Sequence, residues 1–181
     1  MKQALMMMAL ASAVVAGSVS VAEAQNRVTV RAMLGGGNEV PGVSAGAHGE
    51  ALVTVDRAAG TIDYEVNIYG LPTGVVASHI HSGTAGVNGP VVINFPIAAV
   101  GQSGSFQIKG SARASEMVMR PEAGIRSFDD IAFAIASGAA YVNVHTQANP
   151  GGEIRGQLCP TTAAANTFNG VALCTTPARG Q

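Results

Sequence analysis

The chain has 181 residues, with ten Lys or Arg against eleven Asp or Glu and a net charge of −1. That balance excludes the basic face that nucleic acid requires and gives no reason to expect an anionic membrane surface as partner. With 23 glycines, no tryptophan and 4% aromatic residues, the composition predicts short strands joined by tight turns.

Residues 1–24 carry the pattern of a secretory signal peptide. Lys2 supplies the positive start, Ala4 to Ala16 is an apolar run, and Ala22-Glu23-Ala24 is a small-x-small cleavage site. The apolar run is too short to span a bilayer comfortably, and nothing later in the chain has the length of a span. The mature protein is therefore expected in the periplasm or outside the cell. It runs from about Gln25 to Gln181, the length of one ordinary domain.

Arg27 to Leu34 alternates apolar and polar residues and predicts a first strand, broken by Gly35-Gly36-Gly37-Asn38. A loop around Pro41 and Gly42 leads to a second strand, His48 to Asp56, and a turn at Ala58-Ala59-Gly60 leads to a third, Thr61 to Tyr69. In the third, Ile62, Tyr64, Val66 and Ile68 share one face while Asp63, Glu65 and Asn67 face water. This is the pattern of an antiparallel sheet with one wet side. Val76 to His81 forms the fourth strand, and the following loop, Ser82 to Pro90, holds an Asn-Gly turn signal. Val91 to Phe95 and Gly104 to Ala112 supply the fifth and sixth. One helix is predicted after Ser127, an N-cap with Asp129 and Asp130 in the first turn. Phe128, Ile131 and Ile135 fall at helical spacing and Gly138 is the stop. Tyr141 to His145 and Glu153 to Leu158 are the last two strands, with a turn at Asn149-Pro150-Gly151-Gly152 between them.

Three of the four histidines lie on two of these strands. Alternation puts His79 and His81 on one face of the fourth strand, with Ile80 opposite. Tyr141, Asn143 and His145 likewise share a face. If the two strands are neighbours, three imidazoles converge, which is a donor set for Cu or Zn with a position left open. His48 is a candidate fourth ligand and also an ordinary loop histidine. The competing reading is structural: imidazoles bonded to loop carbonyls, with Asn88 and Asn149 stiffening the turns in the same way. Met117 and Met119 would share a strand face and could offer thioethers to Cu(I), but core packing is the plainer role. Glu153 and Arg155 share a strand face, either as a surface ion pair or as residues that orient a histidine. Glu39, Glu50 and Glu153 are scattered acids without a visible partner, and no catalytic residue is assigned.

Cys159 and Cys174 are the two cysteines. In an exported protein a pair predicts a disulfide. It would close a loop of about sixteen residues, worth up to roughly 3 kcal/mol in the chain-entropy picture. It would also clip down a tail, Pro160 to Leu173, without strong strand or helix signals.

Several blocks in order resemble the CHRD (chordin) domain family. They are Asn38-Glu39-Val40-Pro41, the strand from Ala47 to Asp56, and His79-Ile80-His81-Ser82-Gly83 with Asn88-Gly89-Pro90-Val91-Val92. The helix before Gly138, Tyr141 to Thr146, and Asn149 to Leu158 complete the set. The resemblance covers Val28 to Leu158, within a domain bounded at 25–158 and followed by a tail at 159–181. It implies an all-β, antiparallel, immunoglobulin-like sandwich and little about activity. A looser similarity to Cu/Zn superoxide dismutase implies that His79, His81 and His145 take copper positions. The chain departs from that enzyme in lacking a bridging histidine and a zinc-ligand loop, so the similarity supports a mononuclear site and not dismutase activity.

The sequence thus leads to a secreted or periplasmic module that binds a transition metal ion, Cu or Zn, through His79, His81 and His145. The rival is a non-enzymatic module that needs no cofactor and binds an extracellular protein partner through its loops, the histidines being structural. A metal-dependent redox enzyme is the third alternative.

Overall fold

The computed structural model describes residues 26–97 and 100–161, together with the backbone of 167–168 and 171–172. The expected signal peptide at 1–24 and the Cys174 end of the expected disulfide lie outside the described residues. Among the described residues, no helix is long and apolar enough to cross a membrane.

The chain is all-β with one short α-helix. Its strands are β1 (Arg27–Gly35), β2 (His48–Asp56), β3 (Thr61–Leu71), β4 (Val75–Ser82), β5 (Val91–Asn94) and β6 (Gly104–Arg113). After α1 (Phe128–Ala136) come β7 (Ala140–Thr146), β8 (Ile154–Gln157) and β9 (Cys159–Pro160), and then the two-residue β10 (Thr167–Phe168) and β11 (Val171–Ala172). The main sheet has the order β5-β4-β7-β8-β1-β2-β3-β6, with β9 also on β1, and all its pairings are antiparallel. Two leaves meet where β8 touches β1 through the single register pair Gly35↔Arg155.

The outer strands approach each other on the far side. The chain leaving β6 returns to β5, where the Val118 N–H donates to Val92 O (2.9 Å) and Arg120 Nε donates to Val91 O (3.1 Å). Tyr64 of β3 stacks on Phe95 just beyond β5, with centroids 4.0 Å apart. The result is a barrel-like sandwich that is nearly closed.

Alternation explains the core. Val30, Val53, Ile62 and Val66 from one leaf, and Ile80, Val142, Val144 and Ile154 from the other, are fully buried. Their removal from water is the main favourable contribution to folding. Helix α1 caps one end of this core with Ile131, Ala132 and Ile135. Its N-terminus forms as predicted, with Ser127 Oγ accepting from the Asp130 N–H (3.2 Å). It stops because Gly138 takes a left-handed φ of 78°.

Three local expectations need correction. β3 does not end at Tyr69 but continues past a bulge to Leu71. Met117 and Met119 do not share a strand face: they follow a 3-10 turn, with Met117 buried in the core and Met119 partly exposed. The start of the tail is a strand, because Cys159 and Pro160 pair with Arg31 and Val30. This contact is between segments far apart in the chain, and the local sequence gives no sign of it.

Candidate metal centre

The pairing of β4 with β7 sets His79 against Asn143, His81 against Tyr141 and Ala77 against His145. On the other side of β7, Asn143 faces Arg155 and Tyr141 faces Gln157 on β8. Ile80, Val142 and Val144 go to the core, so the alternate residues emerge together on the opposite face. Two rows cross three strands there: His79–Asn143–Arg155 and His81–Tyr141–Gln157.

This outer face is not wet. The loop of residues 36–47 and the loop of residues 83–90 are bonded over it and to each other, with Asn88 Nδ2 donating to Val40 O (2.8 Å). Asn143 is 2% exposed, Arg155 4%, Glu39 7% and His145 9%.

The fold brings His79, His81 and His145 together. One ring nitrogen from each lies within 4.8 Å of the other two. His79 Nδ1 stands 3.2 Å from His145 Nε2. The outer nitrogens fix the tautomers. His81 Nδ1 lies 2.9 Å from Gly89 O, and His145 Nδ1 lies 2.9 Å from Pro150 O. A carbonyl only accepts, so both rings carry their proton on Nδ1 and leave Nε2 as a bare lone pair. Among the described residues, His81 Nε2 is buried with no hydrogen-bond partner. In the neutral rings His79 Nδ1–H then donates to His145 Nε2.

Electrostatics keep the cluster neutral. His79 is pushed down to about 4, chiefly by burial and in smaller part by the His145 and His81 imidazoles. Burial also lowers His81 and His145, against the opposite pull of their carbonyl partners. Neutral imidazole is the form that ligates metal.

The donor set fits a borderline transition ion. Bonds of about 2.0–2.1 Å in a tetrahedral site require ligand atoms ~3.3 Å apart. The His79–His145 pair already has that spacing, and all three ligand nitrogens lie within 4.8 Å of one another. Three imidazoles suit copper or zinc. The supporting contacts are also those of a metal site, since each of two rings is oriented by a carbonyl on its far nitrogen.

Those carbonyls are themselves held. Tyr141 Oη accepts the Gly89 N–H (3.1 Å), and a side chain at Gly89 would run into Ser82 O. Gln157 Nε2 donates to Gly83 O, Gly138 O and Ala140 O. The turn that carries Pro150 O is fixed by Glu153, whose Oε2 accepts from Thr146 Oγ1 (2.8 Å) and Asn149 Nδ2 (2.7 Å).

His48 lies outside this cluster. It stacks on Tyr69 with centroids 5.3 Å apart and is exposed at the edge of β2. The reading of Glu153 and Arg155 as a surface pair is overturned, because both are buried and each bonds elsewhere. Arg155 lies 4.0 Å from Glu39, donates to Asn38 O and Asn88 Oδ1, and sits over the Tyr141 ring at 4.8 Å.

Glu39 is the residue that sequence reasoning left without a role. Its Oε1 accepts from Asn143 Nδ2 at 2.6 Å. Burial raises its carboxyl to about 7, against the opposing pull of Arg155 and Asn143. Its one sequence signal is its place beside Asn38, ahead of Val40-Pro41; its partners lie more than a hundred residues away.

The model of the CHRD domain family matches residues 30–158, from within β1 to the residue after β8, and so spans both histidine strands and both covering loops. No curated protein and no solved structure matches. The match agrees with the ordered blocks of sequence that first suggested it, and the chain belongs to the CHRD domain family.

Proposed function

We propose that this CHRD-domain protein is an exported metal-binding module that holds one copper or zinc ion on His79, His81 and His145. The observation that supports it is the convergence of three neutral imidazoles, two of them locked by carbonyls with Nε2 turned inward. A purely structural histidine network would have partners for its nitrogens, whereas His81 Nε2 is buried with none. A metal ion would supply the missing partner and a Lewis-acid position. Export is inferred from Lys2, the apolar run and Ala22-Glu23-Ala24.

The test is elemental analysis and metal titration of the mature chain, purified without chelator or tag histidines. Near-stoichiometric copper or zinc is expected in the wild type. It should be lost in His81→Ala and kept in His48→Ala. No uptake at micromolar metal, or an unchanged affinity in His81→Ala, overturns the proposal. The protein would then be a metal-free recognition module, and partner capture would be the next experiment.

A further inference from the structure

We propose that Glu39 is the positioning residue of the histidine site, acting through Asn143 to fix the face on which the imidazoles stand. This deepens the metal-binding reading and rests on it.

Glu39 belongs to the connection between β1 and β2, not to the sheet that carries the histidines. Even so, it is inserted beneath the covering loop and almost fully buried. The space is made for it. A Cβ added at Gly152 would lie 2.5 Å from Glu39 Oε2, so only glycine leaves room there. Burying a carboxylate is costly unless it is bonded, and a loop that only had to close would be held better by an apolar side chain. Glu39 therefore has work that needs an acceptor.

That acceptor is directed at Asn143. Asn143 is the cross-strand partner of His79 and lies two residues before His145 on the same face of β7. In the observed bond Glu39 Oε1 accepts, so Asn143 turns Nδ2 toward Glu39. Asn143 Oδ1 then points away, buried and without a partner among the described residues. The oriented carbonyl matches what the histidine site requires when loaded. If His79 gives Nδ1 to a metal ion, its proton resides on Nε2, and a buried acceptor on the paired residue can receive it.

The same loop is tied at two further points. Asn38 Nδ2 donates to Arg155 O (3.0 Å), and Asn88 joins Arg155 to Val40 O. Glu39 reaches the His79 row through its hydrogen bond with the side chain of Asn143.

The experiment measures Zn(II) and Cu(II) affinity by chelator competition on the mature chain, with the spectrum of bound Cu(II) by electron paramagnetic resonance. Glu39→Leu removes the acceptor at similar size, and Asn143→Ala removes the same contact from the other end. Each should lose about 10–100-fold in affinity, the usual effect of removing a group that orients a metal ligand, and each should alter the Cu(II) spectrum. Glu39→Gln keeps an oxygen for Asn143 and should lose clearly less than the about 10-fold lower bound expected for Glu39→Leu. Ile135→Val, which loosens the core on the face of the sheet opposite the histidines, should lower the melting temperature and leave affinity and spectrum unchanged. Wild-type affinity and spectrum in Glu39→Leu, or in Asn143→Ala should the first not fold, overturn the inference while the metal site stands. Equal losses in Glu39→Gln and Glu39→Leu overturn the acceptor role in favour of charge balance with Arg155. A wild type that binds neither metal overturns the metal reading and this inference together.

Discussion

Replacing Glu153 by alanine tests whether the site depends on the turn behind His145. Glu153 is 1% exposed and accepts two hydrogen bonds on one oxygen, from Thr146 Oγ1 and Asn149 Nδ2. Thr146 is fully buried, and its hydroxyl, which still accepts from the Asn149 N–H, would lose the acceptor for its own proton at about 1–3 kcal/mol. Asn149 is half-buried and can turn to water, so its lost bond costs about 1 kcal/mol. The space left by one methylene and a carboxyl adds a further loss of about 1–2 kcal/mol. The sum is about 3–6 kcal/mol, or roughly 10 °C or more in melting temperature for a domain of this size. Glu153→Gln keeps the shape and one acceptor, and should lose about half as much. The assay is urea unfolding of the metal-free mature chain, followed by metal titration of the folded variant. Because the same turn presents Pro150 O to His145 Nδ1, affinity should fall along with stability. If Glu153→Ala melts within 2–3 °C of wild type, a shift of about 1 kcal/mol or less, the acid does not hold the turn and the argument fails.

Two further outcomes follow from the same contacts. The metal-free protein should lose stability as pH falls from about 6.5 toward about 4. His79 is held down to about 4, and His81 and His145 are also lowered, so the unfolded chain takes up protons that the folded chain resists. Glu39, raised to about 7, opposes this: its contribution is full below the ordinary carboxyl range and is lost as pH rises through about 7. Three histidines against one glutamate leave a net loss in acid. Urea midpoints at pH 5 and pH 7.5 check the sign, and greater stability at pH 5 would refute it. Gly156→Ala should prevent a stable fold, because the added Cβ meets Met33 O and lies 2.7 Å from Met33 C, where β8 lies against β1. Far-ultraviolet circular dichroism and expression in soluble form report it, and a variant that melts like wild type would show that β8 can shift freely.

Strand identity was legible because it is local. Alternation in Thr61–Leu71 or His48–Asp56 depends on residues two apart, and the Ser127 cap and Gly138 stop act within a turn. The same periodicity placed His79 with His81, and His145 with Asn143 and Tyr141, on shared faces. What the sequence alone could not fix was which strands are neighbours. β4 lies between β5 and β7, a matter of contacts some sixty residues apart along the chain (|i−j|=65 and 66 for two of them), and only this adjacency turns two histidine strands into one cluster.

Burial of the polar residues was hidden for the same reason. Glu153 and Arg155 look like a surface pair in a strand of alternating character, since nothing nearby reveals the loops that cover that face. Arg155 is enclosed by Asn38 and Glu39, and Glu39 by Asn143, across separations of 117 and 104 residues. The sequence by itself determined the strands, the helix ends and the faces on which the histidines stand, because these follow from backbone periodicity and local capping. The tertiary structure decided that the histidines meet, that their outer nitrogens are locked by Gly89 and Pro150, and that Glu39 lies buried beside them. Those outcomes depend on long-range packing, where a residue's environment is set by whichever distant segment folds over it.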